Sequence, residues 1–152
     1  MYSWLAKALL TRYMARIREG DYAPLLRLDA QDIHFRFPGD STWATEIRSR
    51  DDLERWLQRF VDTGMQISAD EVVLQGPPWN MTLCVRGTDH LDTEDGRVYE
   101  NRYVIWGRMA WGRLRAYEVY EDTQKTKALD EYMARRASSG LSRVAQAGEA
   151  GT

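Results

Sequence analysis

Apolar residues recur every three or four positions in three stretches of the first 64 residues, which is the spacing of one buried helix face. The first stretch ends at Gly20, and the second begins at Asp21, a suitable N-cap residue. The third follows Ser49, where Asp52 completes a capping box, and it stops at Gly64. The pattern therefore predicts three helices in the first part of the chain.

Beyond residue 64 the pattern changes to runs rich in β-branched and aromatic residues, which favour strands. Short segments with glycine separate these runs, as expected of turns. The predicted strands are Ile33–Phe37, Val72–Gln75, Trp79–His90, Val98–Met109 and Leu114–Asp122. A longer version of the second strand, starting at Ile67, would give the sheet a fourth long strand. Helices segregated on one face of an antiparallel sheet make an α+β domain.

Length and composition bound the class of protein. A chain of 152 residues is long enough for one ordinary domain, which we assign to residues 1–137. Residues 138–152 are rich in Ser, Gly and Ala, so we expect a flexible C-terminal tail. The 21 Lys and Arg residues and the 23 Asp and Glu residues nearly balance, which predicts no broad attraction to nucleic acid.

The sequence predicts neither a targeting segment nor a membrane segment. Lys7 interrupts the apolar N-terminal run, and nowhere do about eighteen apolar residues run together. The single cysteine, Cys84, cannot form an intrachain disulfide, which suits a reducing compartment. We therefore expect a cytoplasmic protein that contacts neither a membrane nor nucleic acid.

Several short motifs, taken in their order along the chain, resemble the nuclear transport factor 2-like superfamily. They are Arg12-Tyr13, Gly20-Asp21, Pro38-Gly39, Gly76-Pro77-Pro78-Trp79, Tyr99-Glu100-Asn101-Arg102, Trp111-Gly112-Arg113 and the run from Glu118 to Thr123. The later motifs are similar to those of SnoaL-like and ketosteroid-isomerase-related members. The resemblance implies a cystatin-like fold, in which a cone-shaped, curved antiparallel sheet packs against three N-terminal helices and encloses a pocket. It also implies a dimer, since many members pair through the outer face of the sheet.

The resemblance to ketosteroid isomerases can be examined position by position. Tyr13 matches the tyrosine that holds the oxyanion in those enzymes. The position of their general base falls on Phe37, or on Arg36 after a shift of one residue, and neither side chain can accept a proton. A steroid-isomerase mechanism is therefore not expected.

Limonene epoxide hydrolases, which are related to the same superfamily, give a second comparison. Their arginine falls on Arg86, whereas their two aspartates fall on Thr88 and Val119, so both acids are missing. An acid would have to come from Asp89, turned inward by a bulge, or from Glu121, which shares a face with Val119. The candidate catalytic residues are accordingly Arg86, Glu121, Asp89, His34 and Tyr13.

The alternation of side chains along the strands, with Arg86 facing inward, predicts the wall of the pocket. The predicted ligand-binding residues are Tyr13, Phe37, Trp43, Trp56, Phe60, Arg86, Thr88, Asn101, Tyr103, Tyr117, Val119 and Glu121. An aromatic chamber with a few polar groups suits a small, mainly apolar ligand. In the alternative, Arg86 and Thr88 belong to a solvated face, and Met81, Leu83 and Val85 face the core.

Each polar candidate also has a structural interpretation. Tyr13 on an apolar stripe can be a core tyrosine whose hydroxyl is satisfied, and His34 on a strand can be a surface residue. The acidic turn at residues 89–95 lacks the ligand spacing of a calcium loop, so we predict no metal, and we predict no cofactor.

The opposite face of the predicted sheet alternates charged residues with Trp106 and Tyr120, which is typical of a partly polar protein interface. It favours a homodimer, although a surface sheet with cross-strand ion pairs has the same pattern. Three functions remain open. The first is binding of a small apolar molecule without a complete known catalytic set. The second is a hydrolase, isomerase or cyclase for a small lipophilic substrate, and the third is an adaptor whose sheet face binds another protein.

Overall fold

The computed structural model describes residues 2–149, which form four helices and one six-stranded sheet. Met1 and residues 150–152 lie outside the described part of the chain. In chain order the elements are α1 (Tyr2–Arg18), α2 (Ala23–Leu28), β1 (Asp29–Phe37), β2 (Thr45–Ile47), α3 (Arg50–Asp62), β3 (Gln66–Gln75), β4 (Met81–Thr93), β5 (Gly96–Ala110), β6 (Arg113–Glu121) and α4 (Thr123–Glu149). The predicted α+β class is confirmed.

The signals that predict the third helix define the start of α3. Ser49 adopts an extended N-cap conformation, and its hydroxyl accepts a hydrogen bond of 3.2 Å from the backbone N–H of Asp52. Leu57 and Phe60 are buried on the face of α3 that packs on the sheet. The cap thus fixes where the helix begins, and the apolar stripe fixes which side chains it directs inward.

The sheet is curved and open, with the strand order β2-β1-β6-β5-β4-β3. Neighbouring strands are antiparallel except β1 and β6, which run parallel with Phe35 beside Tyr117. The predicted antiparallel sheet thus contains one parallel pair. A parallel pair needs a long connection between its strands, and here that connection is most of the domain, from β2 to β5.

The inner face of β4 consists of its odd-numbered residues, because Met81, Leu83, Val85 and Leu91 are buried whereas Arg86 is exposed. The prediction that Arg86 and Thr88 face the pocket is therefore wrong, and the alternative in which they lie on a solvated face is confirmed. Predicted and observed faces differ by one residue, and such a slip moves every side chain of a strand to the other side.

The pairing of β4 with β5 is the physical reason for this correction. Asp89 lies opposite Asn101 and Gly87 lies opposite Tyr103, so odd-numbered residues of both strands share one face. Directly opposed residues point to the same side of a sheet. On β5 and β6 the predicted inner residues, such as Tyr103 and Val119, are indeed buried.

α4 follows the last strand and packs against β5, burying Thr126 and Leu129. The sequence pattern did not predict this helix. Residues 138–149, which the sequence assigns to a tail, continue α4 as helix rather than as irregular chain. The division of the chain into a domain at 1–137 and a flexible tail at 138–152 stays a prediction.

α1 lies along β3 and closes one side of the inner face of the sheet. Its core-facing residues are Leu10, Met14 and Ile17, whereas Leu5 and Leu9 are exposed. α3 packs on β1, so it covers the opposite end of the same inner face. The space between these helices and the sheet is not completely filled, and it contains the candidate site.

Candidate functional site

A cavity of about 60 Å³ lies between the inner face of the sheet and helices α1, α2 and α3, counted as the space that the centre of a water molecule can occupy. One buried water needs roughly 10–15 Å³ on this measure, so the cavity has room for roughly four to six water-sized groups. Its wall is formed by Met14, Ile17, Leu25, Phe35, Phe37, Trp56, Leu57, Phe60, Ile67, Asp89, Tyr103, Ile105, Tyr117, Val119 and Glu121.

A second, smaller cavity of about 20 Å³ adjoins the first on the side of α4. It is lined by Phe37, Trp43, Trp56, Phe60, Met65, Asp89, Tyr99, Glu121, Thr126 and Leu129. The two cavities share Phe37, Trp56, Phe60, Asp89 and Glu121. The two acidic side chains therefore lie at the junction of the cavities, where a ligand in either space can meet them.

Aromatic rings pack edge to face and in parallel along this wall. The indole of Trp56 stacks on Phe60 with 5.8 Å between ring centroids and 18° between planes, and it lies 4.9 Å from Phe35. Its Nε1–H donates a hydrogen bond of 3.2 Å to the backbone oxygen of Trp43. Rings held in this way by their neighbours form a rigid, apolar wall.

Asp89 on β4 and Glu121 on β6 form an acid pair at the cavity junction, although β5 lies between their strands. The hydroxyl of Tyr99 on β5 is 3.4 Å from Asp89 Oδ2 and 3.3 Å from Glu121 Oε1, so it bridges the two carboxyls. Asp89 is only 6% exposed, and its Oδ1 has no hydrogen-bond partner among the described residues. The site thus contains an acceptor that the surrounding protein leaves unsatisfied.

Two further polar residues hold the acid pair in place. The side-chain amide of Asn101 donates hydrogen bonds of 3.1 Å to the Tyr99 hydroxyl and 2.9 Å to the backbone oxygen of Asp122. The hydroxyl of Thr126, in the first turn of α4, donates to Glu121. Asn101 therefore orients the bridging tyrosine, and α4 fixes one of the two carboxyls.

Burial changes the protonation of these groups. It raises the pKa of Asp89 to about 7, with the neighbouring Glu121 adding to the effect, and it also raises the pKa of Glu121. Two interacting carboxyls in an apolar site cannot both be charged at low cost, so the pair shares one proton near neutral pH. The pKa of Tyr99 is raised by burial and by the two acids, so the phenol stays protonated and donates.

Most of the predicted ligand-binding residues lie in the walls of these two cavities. Phe37, Trp56, Phe60, Tyr103, Tyr117, Val119 and Glu121 line the larger one, and Trp43 lines the smaller one. Asp89 also faces inward, on regular alternation rather than by the bulge that the sequence argument required. Asn101 is fully buried but acts behind Tyr99, outside both cavity walls.

The other predicted site residues lie elsewhere. Arg86 is exposed and forms an ion pair of 3.0 Å with Glu71, while Thr88 lies on the same outer face. His34 points away from the core and contacts Glu46 at 2.8 Å. Tyr13 packs at the edge of the core without lining either cavity. The polar groups at the cavities are therefore two acidic side chains, Asp89 and Glu121, and not the predicted Arg86.

Thr126 and Gly87 are site residues that the sequence argument missed. Thr126 belongs to α4, which was not predicted. Gly87 lies beneath the phenol of Tyr103, whose hydroxyl reaches past it to donate 2.9 Å to the backbone oxygen of Ser68 on β3. A glycine inside an otherwise regular strand is the signal that could have indicated such a close approach.

Two other features of the described residues concern metal ions and membranes. No group of three or more His, Cys, Asp or Glu side chains within them is placed to hold a metal ion. None of the helices in the described range is long and apolar enough to cross a membrane.

Comparison with solved structures shows the same fold in other proteins. A nuclear transport factor 2-like protein of unknown function from Burkholderia pseudomallei is 18% identical, with a TM-score of 0.68 over 82% of this chain and 96% of that one. A protein from a soil-derived mobile gene cassette is 17% identical, with a TM-score of 0.69 over 85% and 96% of the two chains. A protein from Kribbella flavida, provisionally described as a ketosteroid isomerase, is 16% identical, with a TM-score of 0.62 over 79% of each chain.

Comparison of the sequence gives one family match and no match to an individual curated protein. A search among curated proteins gives no significant match. The family model of the SnoaL-like domain matches residues 10–117, from the middle of α1 to the middle of β6, and so covers more than half of the chain. The protein belongs to the SnoaL-like family and has the nuclear transport factor 2-like fold of that family's structural relatives.

Proposed function

We propose that this protein binds a small, mainly apolar molecule in the aromatic cavity and holds the molecule's polar group at the acid pair of Asp89 and Glu121. The supporting observation is the contrast within one wall, where the buried carboxyl of Asp89 and the half-buried carboxyl of Glu121 interrupt a surface of aromatic and aliphatic side chains. Pockets of this kind gain affinity from apolar burial and orientation from a few polar groups.

Filling the cavity tests this proposal. Val119 lines the cavity and is buried, whereas Val104 lies on the outer face of the neighbouring strand and is partly exposed. A fragment screen followed by NMR, with the indole N–H signals of the tryptophans as reporters, should find ligands that shift the Trp56 signal. Val119→Phe should abolish that binding, and Val104→Phe should leave it unchanged. Equal loss with both variants would contradict the proposal.

An enzymatic role in the same site is the second candidate, and the shared proton of the acid pair favours it. A carboxyl whose pKa is raised to about 7 can give or take a proton at neutral pH, as general acid–base chemistry requires. The class of reaction is proton transfer on a small lipophilic compound, as in an isomerase, a hydrolase or a cyclase. Phe37 in the cavity wall leaves no base at the position that steroid isomerases use.

Turnover separates the two candidates. Ligands found in the screen would be incubated with the protein and analysed by mass spectrometry and proton NMR, including exchange of carbon-bound hydrogen in D₂O. Conversion that Asp89→Asn abolishes, while binding persists, would support an enzyme. If every ligand binds and none is converted, the enzymatic role is contradicted and only the binding function remains.

The outer face of the sheet supports a homodimer as a further proposal. Trp106 and Tyr120 are 53% and 52% exposed on this face, on the neighbouring strands β5 and β6. Exposed aromatic rings amid charged residues are typical of polar protein interfaces. Sedimentation velocity should give a dimer at tens of micromolar that Trp106→Glu dissociates, and a monomeric wild-type protein would contradict this proposal.

A further inference from the structure

The acid pair is poor in hydrogen-bond donors. Its two carboxyls have four oxygens. Besides the proton that the two carboxyls share, the pair receives, within the described residues, only the hydroxyl protons of Tyr99 and Thr126. The Tyr99 proton can serve only one of the two carboxyls at a time. Asp89 Oδ1 receives none and is buried. Asp89 Oδ1 is therefore an acceptor for which the described residues provide no donor, and a ligand that satisfies it must supply one.

The other donors near the cavity are engaged elsewhere. The Tyr103 hydroxyl donates 2.9 Å to the backbone oxygen of Ser68, and the Trp56 Nε1–H donates to the backbone oxygen of Trp43. The phenol of Tyr117 also lines the larger cavity, but its hydroxyl makes no hydrogen bond to Asp89 or Glu121, and its pKa is raised by burial and by the charge of Asp29. These donors consequently do not relieve the deficit at Asp89 and Glu121.

The charge of the site points in the same direction. None of the described residues that line either cavity is an arginine, a lysine or a histidine. The titratable groups around the pair are Tyr99 and Tyr103 from β5 and Asp122 after β6, and none of them is basic. When the pair loses its shared proton, its negative charge has no cation to balance it. A positively charged ligand would supply one.

The aromatic wall suits a cation as well as an apolar group. The stacked rings of Trp56 and Phe60 reach the junction where the carboxyls lie, since both rings line both cavities. Ring faces attract ammonium groups, and the attraction strengthens when water is excluded. An acid pair beside such rings can therefore accept the hydrogen bonds of an ammonium group whose apolar body packs on the rings.

We infer that the ligand of this cavity is a protonated primary or secondary amine on a small aromatic or aliphatic body, with its ammonium group donating to Asp89 and Glu121. This inference rests on the proposed binding function and names its ligand class. On binding, the ammonium enters as a cation, and the proton shared by the two carboxyls leaves to solvent. The site then holds two carboxylates and one cation, with the unpartnered Asp89 oxygen satisfied.

Three matched probes test the ligand class. Benzylamine, benzyl alcohol and acetophenone carry one ring of the same size but offer a charged donor, a neutral hydroxyl and an acceptor alone. Their affinities would be measured by NMR titration of the Trp56 indole signal at pH 8. Benzylamine should bind about tenfold more tightly than either neutral probe, as expected when a neutral hydrogen bond is replaced by charge-assisted ones.

The pH dependence provides a second readout on the unmodified protein. Benzylamine stays protonated between pH 6 and pH 8. Since the pKa of Asp89 is raised to about 7, the pair must release its proton to accept the cation, and affinity for benzylamine should rise about tenfold across this range. Affinity for benzyl alcohol should change little, because no proton has to leave.

Matched amide variants complete the experiment. Asp89→Asn and Glu121→Gln should each reduce the affinity for benzylamine to that for benzyl alcohol, while Glu100→Gln, an exposed carboxyl on the outer face of β5, should leave it unchanged. Near-UV circular dichroism identifies any variant that fails to fold, and the pH series needs no variant. Equal, pH-independent binding of all three probes would overturn the amine inference and leave the proposed binding function standing. Failure of all three to shift the Trp56 signal would overturn the proposed function as well.

Discussion

Asp89 and Glu121 interact directly at the junction of the two cavities even though they come from strands that are not neighbours in the sheet. The curvature of the sheet and the length of both side chains let them meet over β5, where Tyr99 bridges them. Since burial raises the pKa of both carboxyls, the relationship determines how the stability of the protein depends on pH.

We expect the free energy of unfolding of Asp89→Asn, relative to that of the wild-type protein, to increase as the pH rises. The pKa of Asp89 is raised to about 7 in the folded protein, above its value in the unfolded chain of about 3.9. The folded state therefore binds the proton more tightly, and wild-type stability falls between about pH 4 and pH 7 as the buried carboxyl becomes charged. Urea unfolding at pH 4.5 and pH 8 measures the difference. A variant whose stability relative to wild type is the same at both values would contradict the assigned burial.

A second buried carboxyl, Asp29 at the start of β1, gives an independent prediction. It is fully buried, and neither carboxyl oxygen has a hydrogen-bond partner among the described residues. Burial raises its pKa to about 8, so wild-type stability should decline from about pH 4, near the unfolded pKa of about 3.9, and level off above about pH 8. Asp29→Asn should remove that decline, a change on the order of several kcal/mol at about 1.4 kcal/mol for each pKa unit. Asp32→Asn, which changes an exposed carboxyl on the same strand, serves as the control in thermal unfolding from pH 4.5 to pH 9.5.

Gly87 should tolerate no side chain. A Cβ at this position would lie 1.9 Å from the backbone oxygen of Ser68 and 2.6 Å from the Tyr103 hydroxyl. We expect Gly87→Ala to lower the free energy of unfolding by about 1–3 kcal/mol or more, as overpacking does. Gly96→Ala is the comparison, because Gly96 has φ +89° but no atom within 4 Å of the new Cβ. A smaller loss at Gly87 than at Gly96 would mean that the close approach of Tyr103 does not occur.

Neighbouring residues of β4 should respond differently to truncation because they lie on opposite faces. Val85 is 1% exposed, and Val85→Ala should cost about 2 kcal/mol by leaving a small cavity in the core. Arg86→Ala removes a surface ion pair with Glu71 and should change stability by at most about 1 kcal/mol. Urea unfolding of the two variants checks the face assignment, and the reverse order of losses would restore the predicted inward position of Arg86.

The sequence alone determined the features that depend on neighbours along the chain. The cap at Ser49 and the stripe with Leu57 and Phe60 specify α3 locally, since a helix satisfies its own backbone. Turn residues separated the strands, and the order of motifs indicated the family that residues 10–117 match. Trp56, Phe60, Tyr103 and Val119 were placed in the wall because their elements were correctly identified.

Only the tertiary structure decided which side chains of β4 line the cavities. Strand alternation gives two faces but does not say which face is buried, and that choice follows from the pairing of Asp89 with Asn101. Thr126 joined the site through α4, because the packing of that helix against β5 brings its first turn beside Glu121. The acid pair combines β4 and β6 across an intervening strand, and such a contact depends on the curvature of the whole sheet rather than on any local pattern.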